Sequence, residues 1–180
     1  MTLTNADVTL NPRLAGQVKR YHVRPTLHAQ SVGEHTWQVL RLYIELWGLP
    51  SAEVIYRILH HDTPEIMTGD LPFRATDSPS WAILKSAMKD VERETQKQMG
   101  LELYELTPEE KAKIKIADLL EMYEFGQHEW MLGNQYGLLI CQNVGRVALE
   151  IVPLGVVKLV HDTVEKWLLN RGWPSCIPIL

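Results

Sequence analysis

The sequence predicts an all-α protein. Turn signals divide its 180 residues into helix-length pieces rather than the short, evenly spaced strands of a β-sandwich. Apolar residues recur three and four apart within those pieces, and several pieces open on a residue able to cap a helix N-terminus.

Taken in order, Asn11-Pro12 supplies an N-cap and a first helical position, with Leu14, Val18 and Tyr21 following at helical spacing in a short helix. Ser31-Val-Gly-Glu34 has the capping-box pattern, and the helix it opens runs to Gly48, a left-handed terminator. Ser51 caps the next helix, whose apolar stripe is Val54, Ile55, Ile58 and Leu59 and whose last turn runs into His60-His61-Asp62. Pro64 starts a short turn or helix, and Thr68 to Arg74 carries loop punctuation. Ser78-Pro79 opens a long charged helix ending near Gly100. Thr107-Pro-Glu-Glu110 combines an N-cap, a proline at N1 and a glutamate at N3, so another helix begins there. It carries Asp118 on the face of Ile114, Glu121 and Met122. Two further helices are expected over about 135–151 and 154–171, separated by Pro153.

Composition narrows the function. Eighteen Lys+Arg against 22 Asp+Glu give a net charge of −4, which argues against a general surface for nucleic-acid polymers. Cys141 and Cys176 match no CxxC spacing and suit a reducing compartment. The start lacks a basic region followed by an apolar one, and no stretch approaches 18 uninterrupted apolar residues, so a cytoplasmic protein without membrane contact is expected, in the host cell's cytoplasm if the source is viral.

Among seven histidines, His35 and the His61-Asp62 pair stand out beside Asp118. His35 shares a face with Val39 and Leu42, and Asp62 with Ile58 and Leu59, so both point toward the side a bundle would bury. Two neutral imidazoles and two carboxylates form a mixed N/O set for one divalent cation, with zinc, manganese, cobalt, iron, nickel and magnesium as candidates.

These residues resemble the HD superfamily of metal-dependent phosphohydrolases, with an early His, a His-Asp dipeptide and a distant Asp around one metal. The block from His61 to Pro72 (HDTPEIMTGDLP) is similar to that of the bacterial 5′-deoxynucleotidases, and Gln30 to Trp37 to their first ligand helix. Arg20, fifteen residues before His35, and Lys115-Ile-Ala-Asp118 also fall where that family has an arginine and a Lys-x-x-Asp. The likeness covers about residues 17–124. It implies a single domain over 1–180, a bundle of about seven or eight helices, with His35, His61, Asp62 and Asp118 as metal ligands. Glu65 then orients the attacking water, and Asp70 helps to hold the sugar and the reacting phosphate. Arg20 and Lys115 suit phosphate, the first by bidentate geometry. Tyr21 stands where the 5′-deoxynucleotidases carry a tryptophan that crowds the sugar 2′ position, and His22 is a candidate contact to the base. Arg74, with Lys85 and Lys89 further on, is placed to meet the outer phosphates of a triphosphate. His161-Asp162 lacks the downstream Glu and Thr-Gly-Asp-Leu-Pro and is read as helix surface.

Two activities fit the resemblance. Only 56 positions separate Asp62 from Asp118, a compactness shared with the phage triphosphohydrolases that act on dATP. A deoxynucleoside triphosphate, with dATP first, is therefore the expected substrate, giving the deoxynucleoside and phosphates; hydrolysis of a deoxynucleoside monophosphate is the alternative. No histidine lies between Thr63 and Lys115, so one metal rather than two is expected. An expectation of another class is a non-catalytic helical module that binds a nucleotide or a partner. Relatives in this family are dimers or larger, which implies a homo-oligomer, a dimer or a hexamer.

Overall fold

The computed structural model describes residues 11–70, 79–102 and 104–151. Among them are helices and no strand, with a single isolated antiparallel bridge between Lys19 and Ser31. The expected helix over 154–171, His161-Asp162, Cys176, Arg74 and the side chain of Lys85 lie outside the described residues. No helix among the described residues is long and apolar enough to cross a membrane.

The chain forms two compact units, Met1–Leu40 with Ser51–Glu105, and Arg41–Pro50 with Leu106–Leu180. In the first unit, α1 (Pro12–Ala15) is a single turn capped by Asn11, whose side chain accepts from the Arg13 N–H at 2.9 Å. It stops sooner than its apolar spacing suggests. Leu14 is exposed, the Gly16 carbonyl takes up the Gly33 N–H, and Tyr21 is not helical at all but has a φ of 56°. From Val18 to Ser31 the chain makes an irregular excursion closed by the bridge and by the Arg20 N–H donating to Gln30 O at 2.9 Å.

Helix α2 (Val32–Trp47) begins as expected, but only half of its capping box forms. Ser31 Oγ accepts from the Glu34 N–H at 3.2 Å, whereas the Glu34 carboxylate meets His28 Nε2 at 3.0 Å instead of closing the box. Gly48, with φ 82°, ends it. Helix α3 (Ala52–His60) is capped by Ser51 and buries Val54 and Ile58. Leu59, assigned to the same stripe, is 46 % exposed, because the buried arc is narrower than the four-residue stripe read from the sequence. The single turn α4 (Glu65–Thr68) follows Pro64 and ends at Gly69, whose φ of 70° turns the chain toward Asp70. Helix α5 (Pro79–Gln98) packs on α4 and stops before Gly100, φ 67°.

The second unit is organised by α6 (Pro108–Met131) and α7 (Tyr136–Ile151), which pack together. Thr107 and Glu110 close a complete capping box at the start of α6. Both helices carry a glycine at their crossing. A Cβ on Gly137 would fall 2.5 Å from Trp130 N and against the Gly126 carbonyl oxygen, so two backbones approach where no side chain fits.

Candidate metal centre

The sequence puts His35 on the buried arc of α2, and the structure makes it fully buried beside Val39, which is also 0 % exposed. α3 ends at His60, and the following turn carries His61 and Asp62 to the same place. Three donor atoms converge there. His35 Nε2 lies 3.3 Å from His61 Nε2, and each is 3.4 Å from Asp62 Oδ2. Two ligands held about 2.0–2.1 Å from a tetrahedral ion lie about 3.3 Å apart, so a single cation can touch all three atoms at once. The far side of the His61 ring supports this use. Its Nδ1–H donates to the Ile58 carbonyl at 2.7 Å, which orients the ring and leaves the Nε2 lone pair facing His35 and Asp62.

Around this triangle the first unit places charge. The Arg20 guanidinium is buried, and its Nη1 donates to Asp62 Oδ2 at 3.1 Å. Glu65 stands one helical turn after Asp62, and its Oε2 is buried with no hydrogen-bond partner among the described residues. Burial above all, then the negative charges of Asp62 and Asp70, push its pKa up to about 9, partly opposed by Arg20 and His35. Asp70 turns back from Gly69, and its Oδ2 accepts the Tyr21 backbone N–H at 2.9 Å. The Arg20 guanidinium carbon lies 5.6 Å from the centre of the Tyr21 ring. Thus His35, His61, Asp62, Arg20, Tyr21, Glu65 and Asp70 are linked within one unit.

His22, Asp118 and Lys115 are the other candidates among the described residues. His22 is exposed on the excursion. In the second unit, Asp118 lies on α6 on the face of buried Ile114, Glu121 and Met122, and Lys115 Nζ donates to its Oδ2 at 2.6 Å. Lys115 is thus bonded to the carboxylate three residues on, a pairing that its helical spacing permits.

One acidic residue escaped the sequence reading. Glu92 sits half-buried on α5, on a stripe with Met88, Thr95 and Met99. Burial raises its pKa, the Asp62 charge raises it further, and Lys89 opposes both. The signal was a charged residue inside an otherwise apolar and small-polar stripe, hidden by the many charges along the same helix.

The chain is 32 % identical over 143 residues to a dATP triphosphohydrolase of Salmonella phage PMBT28, a stretch covering 71 % of this chain and 69 % of that protein. Its fold is similar to that of the cyanophage S-2L HD phosphohydrolase, solved bound to dA and one catalytic Zn2+ ion. The TM-score is 0.61 at 20 % identity, over 94 % of this chain and 98 % of that one. The HD-domain family profile matches residues 16–130. A match over that span, which takes in His35, the His61-Asp62 pair and Asp118 alike, makes this chain a member of the HD-domain family.

Proposed function

We propose that this protein is a divalent-metal-dependent phosphohydrolase of 2′-deoxyribonucleotides, with dATP as substrate and deoxyadenosine and phosphates as products. The observation that carries the reading is the triangle of His35 Nε2, His61 Nε2 and Asp62 Oδ2, with edges of 3.3 and 3.4 Å, beside the Glu65 carboxylate, whose Oε2 is buried without a partner among the described residues. A purely structural ion needs only its ligands; a buried Glu65 next to them adds a group for chemistry. The substrate comes from the 32 % identical phage relative, which is a dATP triphosphohydrolase.

In this reading His35, His61 and Asp62 hold the cation, and Asp118 is the fourth ligand, sharing its carboxylate with Lys115. A bound divalent cation supplies an electrophile for a phosphoryl oxygen, acidifies water, and draws Glu65 back toward its ordinary range. Glu65 then accepts the proton of the attacking water at its carboxylate. Arg20 presents a guanidinium suited to bidentate contact with phosphate and keeps Asp62 oriented through Nη1. Tyr21 lines the sugar, with His22 and Arg74 toward the base and the outer phosphates. The same reading takes the chain as one functional domain of about seven or eight helices, working in the cytoplasm on a soluble nucleotide pool, as a homo-oligomer.

The test is product analysis with purified protein and dATP or dAMP. Deoxyadenosine and phosphate from dATP, abolished by chelation and restored by a divalent ion, is the expected result. Phosphate released from dAMP alone supports the monophosphatase alternative and rejects the triphosphate reading. A chelator that lowers the melting temperature in a protein with no turnover at all would mark a binding module.

A further inference from the structure

Tyr21 is the one non-glycine residue with a positive φ among the described residues, at 56°. L residues enter that region at an energetic cost, and tyrosine lacks the short polar side chain by which Asn and Asp offset it locally. The conformation must be held by its surroundings.

Hydrogen bonds at Tyr21 and at the residue before it hold it. The Tyr21 N–H donates to Asp70 Oδ2 at 2.9 Å, across 49 residues of sequence. Its carbonyl accepts the Arg24 N–H at 2.8 Å. The preceding residue is fixed at both ends, Arg20 N–H on Gln30 O at 2.9 Å and Arg20 Nη1 on Asp62 Oδ2 at 3.1 Å. Asp70 itself reaches back because Gly69 adopts φ 70° and ψ 167°, values that a residue with a Cβ rarely takes. The hydrogen bond from Tyr21 N–H to Asp70 therefore joins the left-handed Tyr21 backbone to the side chain of the residue after Gly69, and it ties the excursion to the Glu65–Asp70 segment.

Returning Tyr21 to a negative φ would swing its Cβ away and take the ring off the Arg20 guanidinium. A ring face offers a nucleotide sugar no hydrogen-bond partner, so a hydroxyl pressed against it loses water without compensation. We infer that Asp70 is a positioning residue for sugar selection: by accepting the Tyr21 N–H it holds the ring in the orientation that disfavours a 2′-hydroxyl. This rests on the deoxynucleotide reading above. It gives Asp70 a role through hydrogen-bond acceptance, separable from its negative charge, since an asparagine Oδ1 can accept the same N–H.

The experiment compares kcat/KM for dATP and ATP in the wild type, Asp70→Asn and Asp70→Ala, together with amide hydrogen exchange at Tyr21. Asp70→Asn is expected to lower turnover yet keep the dATP/ATP ratio within about threefold of wild type and the Tyr21 amide protected. Asp70→Ala is expected to reduce the ratio by about tenfold or more and to expose the amide. An unchanged ratio and protection in Asp70→Ala overturn the inference. So does an Asp70→Asn protein that keeps the protection and loses the ratio, because charge would then be what matters. If Asp70→Ala fails to fold, exchange in the wild type decides: a Tyr21 amide exchanging like an open peptide overturns the latch. A wild type that hydrolyses no deoxynucleotide overturns the sugar-selection role and the functional reading together, whereas loss of protection in Asp70→Ala would still show the hydrogen bond itself.

Discussion

His35 and His61 face each other through their Nε2 atoms at 3.3 Å, although one lies on α2, the other in the turn after α3, and they are 26 residues apart. Asp62 Oδ2 stands 3.4 Å from both. Three such atoms, one imidazole oriented by a backbone carbonyl, are close enough to share one cation, as proposed above. Removing a ligand and removing the neighbouring carboxylate should therefore have different consequences. His61→Ala and Asp62→Ala are expected to lose both bound metal and activity. Glu65→Gln is expected to retain the metal and lose about 10²–10⁴-fold in kcat. Metal content by elemental analysis beside steady-state rates checks both, and an active Glu65→Gln would remove its assigned role.

The pH dependence of the metal-free protein follows from Glu65. Its pKa rises from 4.5 in the unfolded chain to about 9 in the folded one, chiefly through burial. Between those values the folded state holds a proton that the unfolded state has released, so stability falls as pH rises through this window. Glu65→Gln should accordingly raise the melting temperature of chelator-treated protein at pH 8 by about 5 °C or more, and change it little at pH 4. Equal gains at both pH values would contradict this origin.

Much of the fold was legible because caps and terminators are local. Thr107, Ser51 and Asn11 each act within three residues, and Gly48 and Gly100 end helices by conformations only glycine adopts easily. His35 was legible for a related reason, since helix periodicity put it on a buried arc, and His61-Asp62 through the His-Asp block that follows the next helix. The left-handed Tyr21 was not. Its helical spacing after Leu14 pointed the wrong way, because the conformation is imposed by Asp70, 49 residues distant. Glu34 shows the same limit on a smaller scale: its pattern fits a capping box, yet His28 competes for the carboxylate.

Gly137 offers a test of packing in the second unit. At the second position of a helix, glycine to alanine ordinarily stabilises by up to about 1 kcal/mol. Here the new Cβ would meet Trp130 N at 2.5 Å and the Gly126 carbonyl. Gly137→Ala is expected to destabilise by about 2–3 kcal/mol, a drop of several degrees in Tm read by thermal denaturation.

Thr107→Ala removes the side chain that accepts the Glu110 N–H and donates its hydroxyl proton to the Glu110 carboxylate. The loss should be about 1 kcal/mol, with no change in metal content, as measured by denaturant titration and elemental analysis.

The most direct measurement is a time course of dATP incubated with the purified protein before and after chelation, with nucleoside and phosphates separated chromatographically. Metal-dependent appearance of deoxyadenosine, absent in His61→Ala, is the predicted result. Persistence of dATP alongside hydrolysis of dAMP, or turnover of dATP that survives both chelation and the loss of His61, would contradict it.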